Sequence, residues 1–112
     1  MYDKKLNNQL IEVFSEKHNS SVLVVLWNIH NIKKVMEDFI EYIELDEHKF
    51  AFKSFNEKTL VDKKDNIYYF ISFSSLKYSM GLMPTHVFVD KEVDGFLQKS
   101  FYLMTLMHRC KI

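Results

Sequence analysis

Val22-Leu23-Val24-Val25-Leu26-Trp27 is the longest apolar run in the chain, and its reading decides the fold. The run has the length of a strand, is rich in β-branched valine, and lacks the polar alternation of a half-exposed strand. It reads as a strand buried on both faces, the kind found in parallel sheets covered by helices.

The flanks of this strand have helical period. Upstream, Asp3 is placed to cap a helix running to about Lys17, with Leu6, Leu10, Val13 and Phe14 on one face, before Asn19-Ser20-Ser21 breaks it. Downstream, Ile32, Val35, Met36, Phe39, Ile40 and Ile43 form a continuous stripe at i, i+3, i+4, i+7, i+8 and i+11, with Asn31 as the expected N-cap. The charges of this second helix oppose its macrodipole. Lys33 and Lys34 open it, while Glu37, Asp38, Glu41 and Glu44 fill its later turns. Each misplaced charge costs a few tenths of a kcal/mol at an exposed site. A solvated face on a helix held by packing accounts for this, with an acidic docking face as the alternative.

From Lys49 to Phe73 the period becomes that of strands. Lys49–Phe55 and Ile67–Phe73 are rich in aromatics, a short Thr59–Asp62 segment lies between them, and Lys64-Asp65-Asn66 has the chemistry of a turn. An antiparallel hairpin or meander is expected here. Ser74 to Thr85, holding Gly81 and Pro84, reads as an irregular loop. His86–Asp90 is a further short buried strand. Asp94 to about Arg109 is a helix with Phe96, Leu97, Phe101, Met104 and Met107 inward, broadened by Leu103 and Leu106. The fold expected is α/β: a small mixed sheet of about four or five strands with an antiparallel hairpin, packed by three helices, in a single domain spanning residues 1–112.

Composition narrows the function. The 112 residues carry 15 basic and 15 acidic side chains, so no net field draws the chain to polyanions or acidic membranes. Glycine occurs only at Gly81 and Gly95, which excludes a G-x-x-x-x-G-K-[ST] phosphate loop and a G-x-G-x-x-G dinucleotide turn. The single cysteine, Cys110, excludes an intrachain disulfide framework and a cysteine-rich zinc site. No apolar run approaches the roughly 20 residues of a membrane helix, and the polar start is unlike a signal peptide. A cytoplasmic location is expected, in a host cytoplasm if the chain is phage-encoded. Richness in Lys, Asn, Ile, Phe and Tyr matches an AT-rich genome, as in many low-GC bacteria and their phages.

The order of elements carries a resemblance. The apolar strand Val22–Trp27, the helix after it, the later strand Ile67–Phe73, the segment Leu76-Lys-Tyr-Ser-Met-Gly81 and the strand His86-Val-Phe-Val-Asp-Lys91 follow one another as in the ATPase core of P-loop NTPases of the phage large-terminase and helicase type. The resemblance implies a sheet of that kind, with Asp90 in the place of the magnesium-holding aspartate. The chain departs from the pattern in having no phosphate loop and in carrying Lys91, followed by Glu92, where the family has a second acid. A triphosphate cradle is therefore not implied.

His86, Asp90, Glu92 and Asp94 form the densest polar cluster near a strand end. Ligands of open α/β sheets bind outside the carboxyl ends of strands. Asp90, Glu92 and Asp94 have the oxygen chemistry for Mg²⁺, and His86 with Asp90 are the candidate catalytic pair. The competing reading is that Asp90 and Asp94 cap a helix whose first-turn acids complement its dipole. The five histidines lack H-x-x-x-H spacing, and no G-x-S-x-G surrounds Ser72, Ser74, Ser75 or Ser79. Phe50, Phe52, Phe55, Tyr68 and Tyr69 with Lys49, Lys53 and Lys77 supply the materials of a single-strand-binding surface. Scarcity of arginine, Arg109 alone, argues against bidentate reading of bases.

Absent a phosphate loop, a nucleophile elbow or zinc spacing, the function expected is non-enzymatic: a regulatory or interaction protein, phage- or mobile-element-encoded, that binds another macromolecule without a cofactor. A protein partner or a second copy is expected to meet Phe101, Tyr102, Leu103, Leu106 and Met107 on the wide C-terminal stripe. The alternatives are a metal-dependent hydrolase or nuclease centred on Asp90, a degenerate P-loop-like module, and a single-stranded nucleic-acid binder.

Overall fold

The buried run at the centre of the sequence is the central strand of the fold. In a computed structural model, which describes residues 4–43, 50–79 and 84–95, the strand β1 (Ser21–Leu26) lies between two parallel neighbours. These are β4 (Ile67–Ser72) and β5 (His86–Val89), in registers running from Ser21↔Ile67 to Leu26↔Ser72 and from Val22↔His86 to Val25↔Val89. Beyond β4 the sheet turns antiparallel through β3 (Thr59–Asp62) to the edge strand β2 (Phe50–Ser54), giving the order β2-β3-β4-β1-β5. The architecture is the expected small α/β fold with a mixed sheet and an antiparallel hairpin.

Two helices cover one face. The helix α1 (Lys4–Glu16) buries Leu6, Leu10 and Val13, and α2 (Ile32–Ile43) buries Ile32, Met36 and Phe39. They close over Val22, Val24, Leu26, Leu60, Phe70 and Tyr68, with Phe39 edge-on to both Phe50 and Tyr68 at 5.4 and 5.1 Å. The opposite face carries Leu23, Val25 and Val87, met by Leu76 and Val93. Because β1 packs on both faces, every position from Val22 to Leu26 is fully buried, which is why its sequence shows no alternation. A register shift between Phe50 and Phe52 sends Phe50 into the helical face and leaves Phe52 exposed on the edge strand.

Three boundaries differ from the sequence reading, each for a local reason. A 3₁₀ turn (Ile29–Asn31) precedes α2, and its cap is Asn28, whose side chain accepts from the His30 N–H, rather than Asn31. Another 3₁₀ segment (Phe73–Ser79) begins directly after β4, where an irregular loop was expected. The third helix, α3, begins at Lys91 rather than Asp94, since the Asp90 carboxylate caps it through the Val93 N–H. The described part of α3 ends at Gly95, so the apolar stripe with Phe101, Tyr102, Leu103, Leu106 and Met107 lies outside the described residues. Among the described residues no helix is long and apolar enough to cross a membrane.

Candidate functional site at the carboxyl edge of the sheet

Chain direction gives the sheet two unlike ends. At the amino ends of β1 and β4, the β3–β4 turn folds back on the end of α1. Asp62 is fully buried there, and its carboxylate accepts from Lys64 N (2.8 Å), Asn66 N (3.1 Å), Asn66 Nδ2 (2.9 Å) and Tyr68 Oη (2.8 Å). Asn66 extends the network, donating to Lys17 O and accepting from Ser20 N. Lys64 Nζ donates to the carbonyls of Phe14 and Ser15, the unsatisfied C-terminal groups of α1. Asn19 and Asp65 take the left-handed backbone that this crossing requires, at φ 53° and 64°. Burial, reinforced by the adjacent Asp62 carboxylate, pushes the Tyr68 phenol above its ordinary pKa.

Asp62 was absent from the sequence-derived candidates, which placed only turn chemistry at Lys64-Asp65-Asn66. The available signal was phase: Asp62 lies two residues after the buried Leu60, on the same side of β3. Its oxygens are filled by main-chain and side-chain donors, and it acts as a structural hub.

The carboxyl edge is built differently. β1 leaves into α2 on one face, while β4 and β5 leave into elements that pack on the other. Neighbouring parallel strands whose exits diverge in this way open a crevice beyond their carboxyl ends. Asp90 spans it: Oδ2 accepts from Trp27 N at 2.9 Å and Oδ1 from Val93 N at 2.8 Å. Asp90 therefore ties the end of β1 to the start of α3. Glu92 and Asp94 are exposed in the first turn of α3, where acids complement the helix dipole.

The proposed pairing of His86 with Asp90 is not assembled in the fold. His86 opens β5 and Asp90 follows its last residue, so four residues of extended chain, about 13 Å, separate them. His86 lies at the amino end instead, with Nδ1 2.9 Å from Thr85 Oγ1. Partial burial, and then Lys17, hold its imidazole below the ordinary pKa, against the opposing pull of Glu12. Among the described residues no group of three His, Cys, Asp or Glu side chains gathers to hold a metal ion.

What the carboxyl edge does present is aromatic. Trp27, the chain's one tryptophan, lies just past the end of β1, stacks on Phe73 at 5.5 Å and 29°, and remains 37% exposed. Ile29 beside it is 51% exposed. Ser72 Oγ lies 3.1 Å from both Ser74 Oγ and Ser75 Oγ at the end of β4. A cleft of about 100 Å³ lies between Lys5 and Gln9 of α1 and Phe88, Asp90, Lys91 and Asp94. That is well below the roughly 300–1,000 Å³ of pockets that engulf a small organic ligand.

The aromatics of the hairpin divide. Phe50 and Tyr68 are buried in the core, whereas Phe52 and Phe55 are exposed. Comparison of the chain with protein-family models, with curated proteins and with solved structures returned no match.

Proposed function

We propose that this protein acts by binding another macromolecule, and that contact is made at the carboxyl edge of its sheet. The observation that supports this reading is the placement of Trp27. A large ring left partly exposed, stacked on a second ring, at the position where ligands approach such sheets, has the character of a binding hot spot. Asp90, the carboxylate best placed for chemistry there, spends both oxygens on main-chain N–H groups. The adjoining cleft is sized for a few waters.

A photo-crosslinking amino acid at Ile29 and, separately, at Tyr42 tests the reading. Both side chains are exposed, Ile29 at the carboxyl edge and Tyr42 in the last turn of α2 at the other end. In extract of the native cells, position 29 is expected to yield discrete adducts that Trp27→Ala abolishes, and position 42 none. Adducts from position 42 alone, or adducts from position 29 that persist in Trp27→Ala, would overturn it.

A further inference from the structure

Among the described residues the sheet ends on β5, with no strand beyond it. The N–H of Asp90 donates to Val25 O across the β1–β5 ladder, in which Phe88 pairs with Val24. Main-chain groups of successive residues point to opposite sides of a strand, so those of Val87 and Val89 face away from β1. They face the cleft of about 100 Å³, which runs along this outer edge between Val87, Phe88 and Val89 and the side chains of Lys5 and Gln9 on α1. Phe88 and Val89 are half-buried. The row of α1 that borders the edge carries opposite charges at its two ends. Lys5 lies by the carboxyl end of β5, in the cleft with Asp90 and Asp94. Glu12, two turns and about 10 Å further along the helix, acts on His86 at the amino end. Gln9, near the midpoint of Lys5 and Glu12, meets the cleft with Phe88, near the midpoint of the strand. Lys5 and Glu12 are both exposed.

We propose that β5 pairs antiparallel with the β5 of a second copy, joining the two sheets into one. The surface is separate from the contact around Trp27 and does not depend on it. An edge strand with unpaired main chain is a template for strand addition, and a two-fold axis closes the assembly at a dimer. With Phe88 opposite its own copy, Val87 faces the partner's Val89, and Val89 the partner's Val87. Every outward N–H and C=O of both residues is then bonded, and the two Phe88 rings meet as a cross-strand aromatic pair. The same axis sets Lys5 against the partner's Glu12, and Glu12 against the partner's Lys5, because the helix row and the strand share a midpoint. The other charges bordering the cleft, Lys91 and Asp94, cancel in sum, and Lys17 of the amino end comes toward that neutral pair. A strand of another protein would use the same main-chain groups, but only a second copy brings its own Glu12 to Lys5.

The test is sedimentation velocity of the full chain at low salt over about 1 to 100 μM, where interfaces of modest area associate. A dimer that gains population with concentration is expected. Lys5→Glu and Glu12→Lys each place like charges together twice, and each should weaken the dimer on the order of tenfold. The combined Lys5→Glu/Glu12→Lys variant should return to the wild-type dissociation constant, since it rebuilds both pairs with their signs exchanged. Both positions are exposed, so folding is not at stake in these variants. Val89→Pro removes an outward N–H, a change that edge strands tolerate, and should leave a monomer with the wild-type circular dichroism. Should Val89→Pro fail to fold, the charge exchange decides alone. A monomer throughout the range would overturn the proposal. So would a dimer whose affinity is unchanged in both single variants, or one that the combined variant does not restore.

Discussion

The two ends of the sheet each hold a buried aspartate, and the two carboxylates are used differently. Asp62 at the amino end accepts four hydrogen bonds within a closed network that joins the β3–β4 turn, the end of α1 and the start of β1. Asp90 at the carboxyl end accepts two, in a crevice beside the partly exposed Trp27 ring and a small open cleft. A carboxylate whose lone pairs are met by donors from one compact turn locks that turn. The Asp90 carboxylate, shared between a strand end and a helix start, holds a surface together while leaving it accessible.

The largest expected effect comes from breaking the closed end. Asp62→Ala strands donors of Lys64, Asn66 and Tyr68 in a buried site and should cost about 3–5 kcal/mol in urea unfolding. Asp90→Ala loses one helix cap and one bridging bond at a partly open site, and should cost about 2 kcal/mol. If the two losses were equal, the distinction between a sealed and an accessible end would fail. Trp27→Ala removes the stack on Phe73 and should cost about 1–2 kcal/mol, with binding lost out of proportion to stability.

Titration sharpens the same comparison. The Tyr68 phenol has a pKa raised above its ordinary 10.0 by burial and Asp62. The folded state therefore holds its proton where the unfolded chain gives it up, so the stabilisation is intact below pH 10 and declines as pH rises beyond it. Tyr68→Phe should flatten that alkaline decline relative to the wild type, read as the difference between their urea midpoints across pH. The smallest effect is acidic. His86 titrates below its ordinary 6.5, so the unfolded chain takes up its proton first and stability falls as pH drops through that range. His86→Gln should make the acid limb slightly shallower.

Much of the fold was legible before any coordinates. The run Val22–Trp27 announced a strand buried on both faces, as it is from Val22 to Leu26, and the stripe from Ile32 to Ile43 announced the helix over it, because long periodic apolar patterns have few other uses. Local chemistry was legible in part. Asp65 takes the left-handed turn that its residue type tolerates, and Asp90 takes the helix cap that competed with a metal site. The start of α3 was placed late because Lys91 and Glu92 carry no apolar signal, while the cap bond that sets the boundary is invisible without geometry.

The candidate site differs in composition from the sequence reading. His86 was grouped with Asp90 on nearness in sequence, which an extended strand converts into distance. Trp27 read as one more buried member of the central strand. Its partial exposure follows from the strand ending one residue earlier, with the chain diverging toward α2 while β4 and β5 turn to the other face.

The sequence by itself determined the class of fold, the central strand and the absence of a phosphate loop, since these depend on residue type and short-range period. Only the tertiary structure decided which aspartate is sealed and which borders open surface, and that the lysines opening α1 and α2 share an end with Trp27. Those facts depend on the direction in which each element crosses the sheet. Direction is set by packing between residues distant in the chain, and no local pattern records it.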